Sequence, residues 1–96
     1  MLPAYHIVTA LDKYWSVMVV PLRYLEPDHE AVIVWIALPD KQKQLLSLWG
    51  IEPESLITCV FKNKRNGMSA YKIRHTVIAL GTTESSGILV KLLGSF

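Results

Sequence analysis

A chain of 96 residues is long enough for one domain and too short for two, so residues 1–96 are expected to form a single unit. With 51% hydrophobic and 19% charged residues it has the means to build a core, which excludes a disordered chain. The formal net charge is only +2, and the single cysteine, Cys59, excludes an internal disulfide and with it a disulfide-stapled secreted scaffold.

So apolar a composition on so small a domain points to self-association, and a homodimer is the simplest form of it. The longest apolar run, Ala31 to Leu38, has the length of a strand and not of a membrane span. Met1 to His6 lack the basic start and long apolar stretch of a signal peptide, so a cytoplasmic location is expected. The charge is unevenly spread. Residues 1–60 carry four Lys or Arg against seven Asp or Glu, and residues 61–96 carry six against Glu84 alone. A basic second part of this kind points to a polyanion or an acidic protein surface as partner.

In chain order, the first expected strand is Tyr5 to Leu11, followed by a turn at Asp12-Lys13. The second runs from Tyr14 to about Leu22 and is rich in β-branched and aromatic residues, with Pro21 near its end or on an edge. Glu26-Pro27-Asp28-His29-Glu30 has turn chemistry. Ala31 to Leu38 shows no alternation, which suits a strand covered on both faces, and together these two strands read as a central hairpin. From Lys41 to Trp49 the apolar residues fall at 45, 46, 48 and 49, one side of a short helix that starts at Pro39 or Asp40 and stops at Gly50.

Glu52-Pro53-Glu54 is the next break, followed by strands at Leu56 to Lys62 and Met68 to Leu80 joined by Asn63-Lys64-Arg65-Asn66-Gly67. Thr82-Thr83-Glu84 then reads as a helix start, with Ile88, Leu89, Leu92 and Leu93 at helical spacing. The order β-β-β-α-β-β-α predicts an α+β domain: a mostly antiparallel sheet of about five strands with two short helices.

The second hairpin carries the clearest candidate site. Along Tyr71 to Val77 alternation separates Tyr71, Ile73, His75 and Val77 from Lys72, Arg74 and Thr76. A five-residue loop sets Lys62 opposite Met68 and Thr58 opposite Lys72, so that the two apolar faces coincide. A four-residue loop would set Cys59 opposite Lys72 and mix core with charge. The expected result is a basic face of Lys62, Lys72 and Arg74, with Lys64 and Arg65 at the tip, over a core of Ile57, Cys59, Phe61, Tyr71 and Ile73. Such a ribbon can neutralise phosphates, although a charged hairpin is ordinarily a solvated face that discourages edge pairing.

Other chemistry is thinly represented. His6, His29 and His75 are far apart, no metal-ligand spacing joins them to Cys59, and no Gly-rich phosphate loop occurs. Cys59 reads as an inert core residue, and Trp15, Trp35 and Trp49 as core or as a dimer interface. No catalytic residue, metal or cofactor is expected. The chain reads as a small non-enzymatic binding protein that self-associates and contacts nucleic acid or another polyanion through its hairpin. The alternative is a protein-interaction or assembly subunit working through apolar strands and tryptophans.

Overall fold

The computed structural model describes residues 5–7 and 17–93. Its elements are β1 (Tyr5–Ile7), β2 (Val17–Pro21), a 3-10 turn (Leu22–Tyr24), β3 (Glu30–Ile36), α1 (Asp40–Leu48), β4 (Leu56–Asn63), β5 (Met68–Ile73), β6 (Thr76–Leu80), α2 (Thr82–Gly87) and β7 (Ile88–Leu92). The α+β class holds: among the described residues every pairing is antiparallel and there are two short helices. Among the described residues the sheet has seven strands instead of about five, in the order β1-β2-β7-β3-β4-β5-β6. The expected Asp12-Lys13 turn and Trp15 lie outside the described residues.

Two extra strands account for the difference. The expected strand Met68 to Leu80 folds back on itself at Arg74-His75, so that Ile73 pairs with Thr76. Arg74 takes φ +56°, a conformation usually left to Gly or Asn, and the sequence there gives no turn signal. The expected terminal helix stops at Gly87, and Ile88–Leu92 become β7, in the middle of the sheet. A Cβ on Gly87 would clash with the Leu38 side chain and lie 3.1 Å from the Ala37 carbonyl oxygen, so glycine lets the chain pass here without displacing Leu38.

Once past that point, β7 pairs with β2 on one side and β3 on the other. A buried strand must find partners for all its backbone groups, and a central position supplies them on both edges. That gain outweighs a helical spacing of four apolar side chains. Ile88 and Val90 turn inward, while Leu89 and Lys91 are half-buried.

The position of β7 corrects a second expectation. The strands around residues 17–21 and 30–36 do not form a hairpin, because β7 lies between them. Nor is β3 covered on both faces: Ala31, Ile33 and Ile36 are buried, Val32 and Val34 are half-buried, and Trp35 is 61% exposed beside an irregularity between Ile33 and Trp35.

One core gathers side chains from β2 through β7, among them Val20, Ile33, Ile57, Cys59, Tyr71 and Val90. α2 touches β6 as well as β2 and the 3-10 turn. Those elements lie near opposite ends of the strand order, so the sheet curls around its core in an SH3-like manner. Gly50 ends α1 as expected. Its φ is +89°, its N–H donates to the Ser47 carbonyl at 3.0 Å, and the Ile51 N–H donates to the Leu46 carbonyl at 3.0 Å. This is a Schellman stop, with the core residues Leu46 and Ile51 as its apolar pair.

Candidate interaction surfaces

The basic hairpin resolves its register in a way that changes its surface. β4 and β5 pair as Thr58 with Lys72 and Cys59 with Tyr71, as the apolar pattern requires. Beyond Cys59 the register slips, so Lys62 faces Ser69 instead of Met68, and Asn63 faces Met68. The loop is thus four residues, Lys64 to Gly67. The Asn63 and Asn66 side-chain oxygens accept from the Arg65 and Met68 N–H groups, each at 3.0 Å. A bulge between Cys59 and Phe61 absorbs the odd residue, which is how a four-residue loop coexists with a sorted core.

The bulge turns Val60 and Phe61 both outward. Ile57, Cys59, Tyr71 and Ile73 are in the core as expected, but Phe61 is 58% exposed. It also rotates Lys62 to the side of Ser69, away from Lys72. There Lys62 Nζ donates to the Arg23 carbonyl at 2.8 Å and lies 3.7 Å from the Glu26 carboxylate. Lys62 thus pins the 3-10 turn to β4.

The five cations consequently do not form one face. Lys62 and Lys64 border a cleft with Arg23, Tyr24, Ser69 and Thr82. Arg23, from the acidic part of the sequence, lies 4.7 Å over the Tyr24 ring and donates to its hydroxyl at 2.6 Å. Thr82, expected as a helix cap, instead donates to the Gly67 carbonyl at 3.2 Å and ties the hairpin tip to α2. Lys72 and Arg74 border a separate cleft that also holds Glu30, Glu54 and Thr58. Arg65 is exposed in the loop. The first cleft is the more purely basic one, and the cation the sequence could not place in it is Arg23.

Burial pushes the Cys59 thiol above its ordinary value, partly opposed by the nearby Lys62 charge. A thiol held protonated in an apolar core is a poor nucleophile. Burial likewise pushes the Tyr71 phenol up. The Tyr71 hydroxyl is buried and finds no hydrogen-bond partner among the described residues. Among the described residues no three His, Cys, Asp or Glu side chains come close enough to hold a metal ion.

α1 presents a second surface. Its four apolar residues lie on one side of the helix, as the spacing predicts, but of the four only Leu46 is buried in the core. At about 100° per residue, Trp49 lies roughly 60° from Leu46, Leu45 about 100° and Leu48 about 160°. Exposure follows that order: 54% for Trp49, 57% for Leu45 and 82% for Leu48. The signal was present in the sequence, because this arc is wider than the ~100° stripe that a core-facing helix needs. Open grooves flank the helix, one with Ile36, Ile51 and Pro53, the other with Val77 to Leu80 of β6.

Fold and surfaces together define a small α+β domain with a curled antiparallel sheet, exposed apolar side chains on α1 and two clefts bordered by Lys and Arg. Residues 20–92 match the FeoA domain model, and the chain belongs to the FeoA domain family. No curated protein sequence matches it. The crystal structure of an iron uptake regulatory protein, FeoA, is 24% identical, with a TM-score of 0.73, over 79% of this chain and 100% of that one. A FeoA-like protein from Clostridium acetobutylicum is 20% identical, with a TM-score of 0.71, over 81% of this chain and 91% of that one. A manganese-dependent transcriptional repressor is 17% identical, with a TM-score of 0.72, over 78% of this chain and 42% of its own. At these identities the likenesses establish the fold. No helix among the described residues is long and apolar enough to cross a membrane.

Proposed function

We propose that this chain is a non-enzymatic FeoA-type domain that self-associates and regulates metal-ion uptake in the cytoplasm by contact with a protein partner. The observation that carries this reading is α1, a helix that spends one apolar residue on its own core and holds Leu45, Leu48 and Trp49 out to solvent. Exposed apolar groups gathered on one element mark contact surfaces. The family supports the regulatory role, since one relative is an iron uptake regulatory protein. The test is uptake of radioactive ferrous iron by cells lacking this chain and by cells complemented with it. Uptake is expected to fall on deletion, to return with the wild type, and to return poorly with Leu48→Lys/Trp49→Ala. Uptake that is indifferent to deletion would overturn the regulatory role.

A second reading keeps the hairpin as a polyanion contact, favoured by the placement of Arg23 beside Lys62 and Lys64. In this form Lys64 and Arg65 reach nucleic acid or an acidic protein first, with Arg23 and Lys62 behind them, while Lys72 and Arg74 lie across the ribbon. Phosphate contact requires affinity for labelled DNA or RNA that falls steeply between 50 and 200 mM salt and is lost in Lys64→Glu/Arg65→Glu. Binding indifferent to salt, or none, would remove this reading.

A further inference from the structure

We propose that the open edge of β6 is the surface through which two copies of this chain pair, strand against strand, about a two-fold axis at Ile78. This deepens the self-association reading and rests on it. β6 ends the strand order and has no neighbour on its far side among the described residues. The two-residue turn makes Ile73 and Thr76 a hydrogen-bonded pair, and bonded and non-bonded pairs alternate from there. Val77 and Ala79 are therefore in non-bonded pairs, and their N–H and C=O groups point away from β5. No backbone partner meets them among the described residues.

Sheet edges are ordinarily blunted by charge, proline or cover. Thr76-Val77-Ile78-Ala79-Leu80 has neither charge nor proline, and Val77 is 58% exposed. An open edge of this composition is suited to receive a strand.

Three features point to a second copy as the occupant. The free backbone groups at 77 and 79 are symmetric about Ile78, so an antiparallel copy sets Val77 opposite Ala79 of the other chain and Ala79 opposite its Val77. Each such pair exchanges two N–H···O bonds, so the edge is complementary to itself. Charge agrees with that direction. Arg74 and His75 flank one end of β6 and Glu84 follows the other. Antiparallel pairing brings the basic end of each copy toward the acidic end of its mate, whereas parallel pairing would set like ends together. The groove along β6 is walled by Leu46 and Trp49, so an added strand lies against a tryptophan that a single chain leaves half open.

Light scattering and sedimentation equilibrium on the whole chain test this, with Val77→Lys and Ala79→Pro as edge variants. Both change an outward-facing position and leave the bonds to β5 in place, and circular dichroism verifies that each is folded. A disulfide arm fixes the register: Ile78→Cys stands opposite itself and Val77→Cys does not, while buried Cys59 does not compete. The expected result is a wild-type dimer, monomers for Val77→Lys and Ala79→Pro, and a covalent dimer on oxidation of Ile78→Cys but not of Val77→Cys. A wild-type dimer that persists in both edge variants would overturn the β6 interface and leave self-association standing. A wild-type monomer at high concentration would overturn both.

Discussion

At the scale of single residues, two positions carry costs visible only in the folded chain. Gly50 combines φ +89° with a close approach, because a Cβ there would lie 2.9 Å from Ile73 Cγ2. Gly50→Ala is expected to destabilise by about 1–3 kcal/mol, since left-handed strain and the clash act together. Thermal melting checks it, and a melting temperature unchanged from wild type would contradict it. Tyr71 buries a hydroxyl that finds no hydrogen-bond partner among the described residues, so Tyr71→Phe is expected to stabilise by roughly 1 kcal/mol. The same residue sets a pH dependence. Burial raises the folded-state pKa of Tyr71 above 10.0 and that of Cys59 above 9.0. The unfolded chain therefore loses these protons first, and stability present below pH 9 declines as pH rises through and beyond the unfolded values. Denaturant titrations from pH 7 to 11 are expected to show that decline, and Tyr71→Phe with Cys59→Ala is expected to flatten it.

At the scale of elements, the β4 bulge separates neighbours that strict alternation would have treated alike. Ile57 and Phe61 belong to one face by sequence, yet Ile57 is fully buried and Phe61 is largely exposed. Ile57→Ala is expected to cost about 2–5 kcal/mol, as a cavity opens in the core. Phe61→Ser is expected to stay within about 0.5 kcal/mol of wild type. Equal losses in urea unfolding would place Phe61 in the core after all. β7 gives the second prediction at this scale. A chain ending at Gly87 loses the strand between β2 and β3 and strands the ladder groups of both. Such a truncation is expected to lack the cooperative unfolding transition of the whole chain, whereas removal of a terminal helix would leave the sheet intact.

Across the whole molecule, α2 and β7 decide the architecture. β7 joins the two parts of the sheet, and α2 bridges its curled ends. A core shared by β2 through β7 cannot open piecemeal without exposing Ile33, Tyr71 and Val90 together. Unfolding followed by far-ultraviolet circular dichroism and by tryptophan fluorescence is therefore expected to give coincident transitions. Separate midpoints would mean that β4–β6 unfold apart from the rest.

The sequence by itself determined the features that depend on neighbours along the chain. Apolar alternation marked Ile57, Cys59, Tyr71 and Ile73 as core, and the turns at 26–30 and 52–54, the stop at Gly50 and the pairing of Thr58 with Lys72 were legible for the same reason. Packing between distant segments decided the rest. Ile88 to Leu92 are a strand because β2 and β3 leave backbone groups that a helix cannot satisfy. Lys62 leaves the basic face because a bulge turns it toward the Arg23 carbonyl, and the expected five-cation surface divides. Leu45, Leu48 and Trp49 are exposed because the core accepts only one residue of α1. A period read along the chain says which residues share a face, and only the tertiary structure says what that face meets.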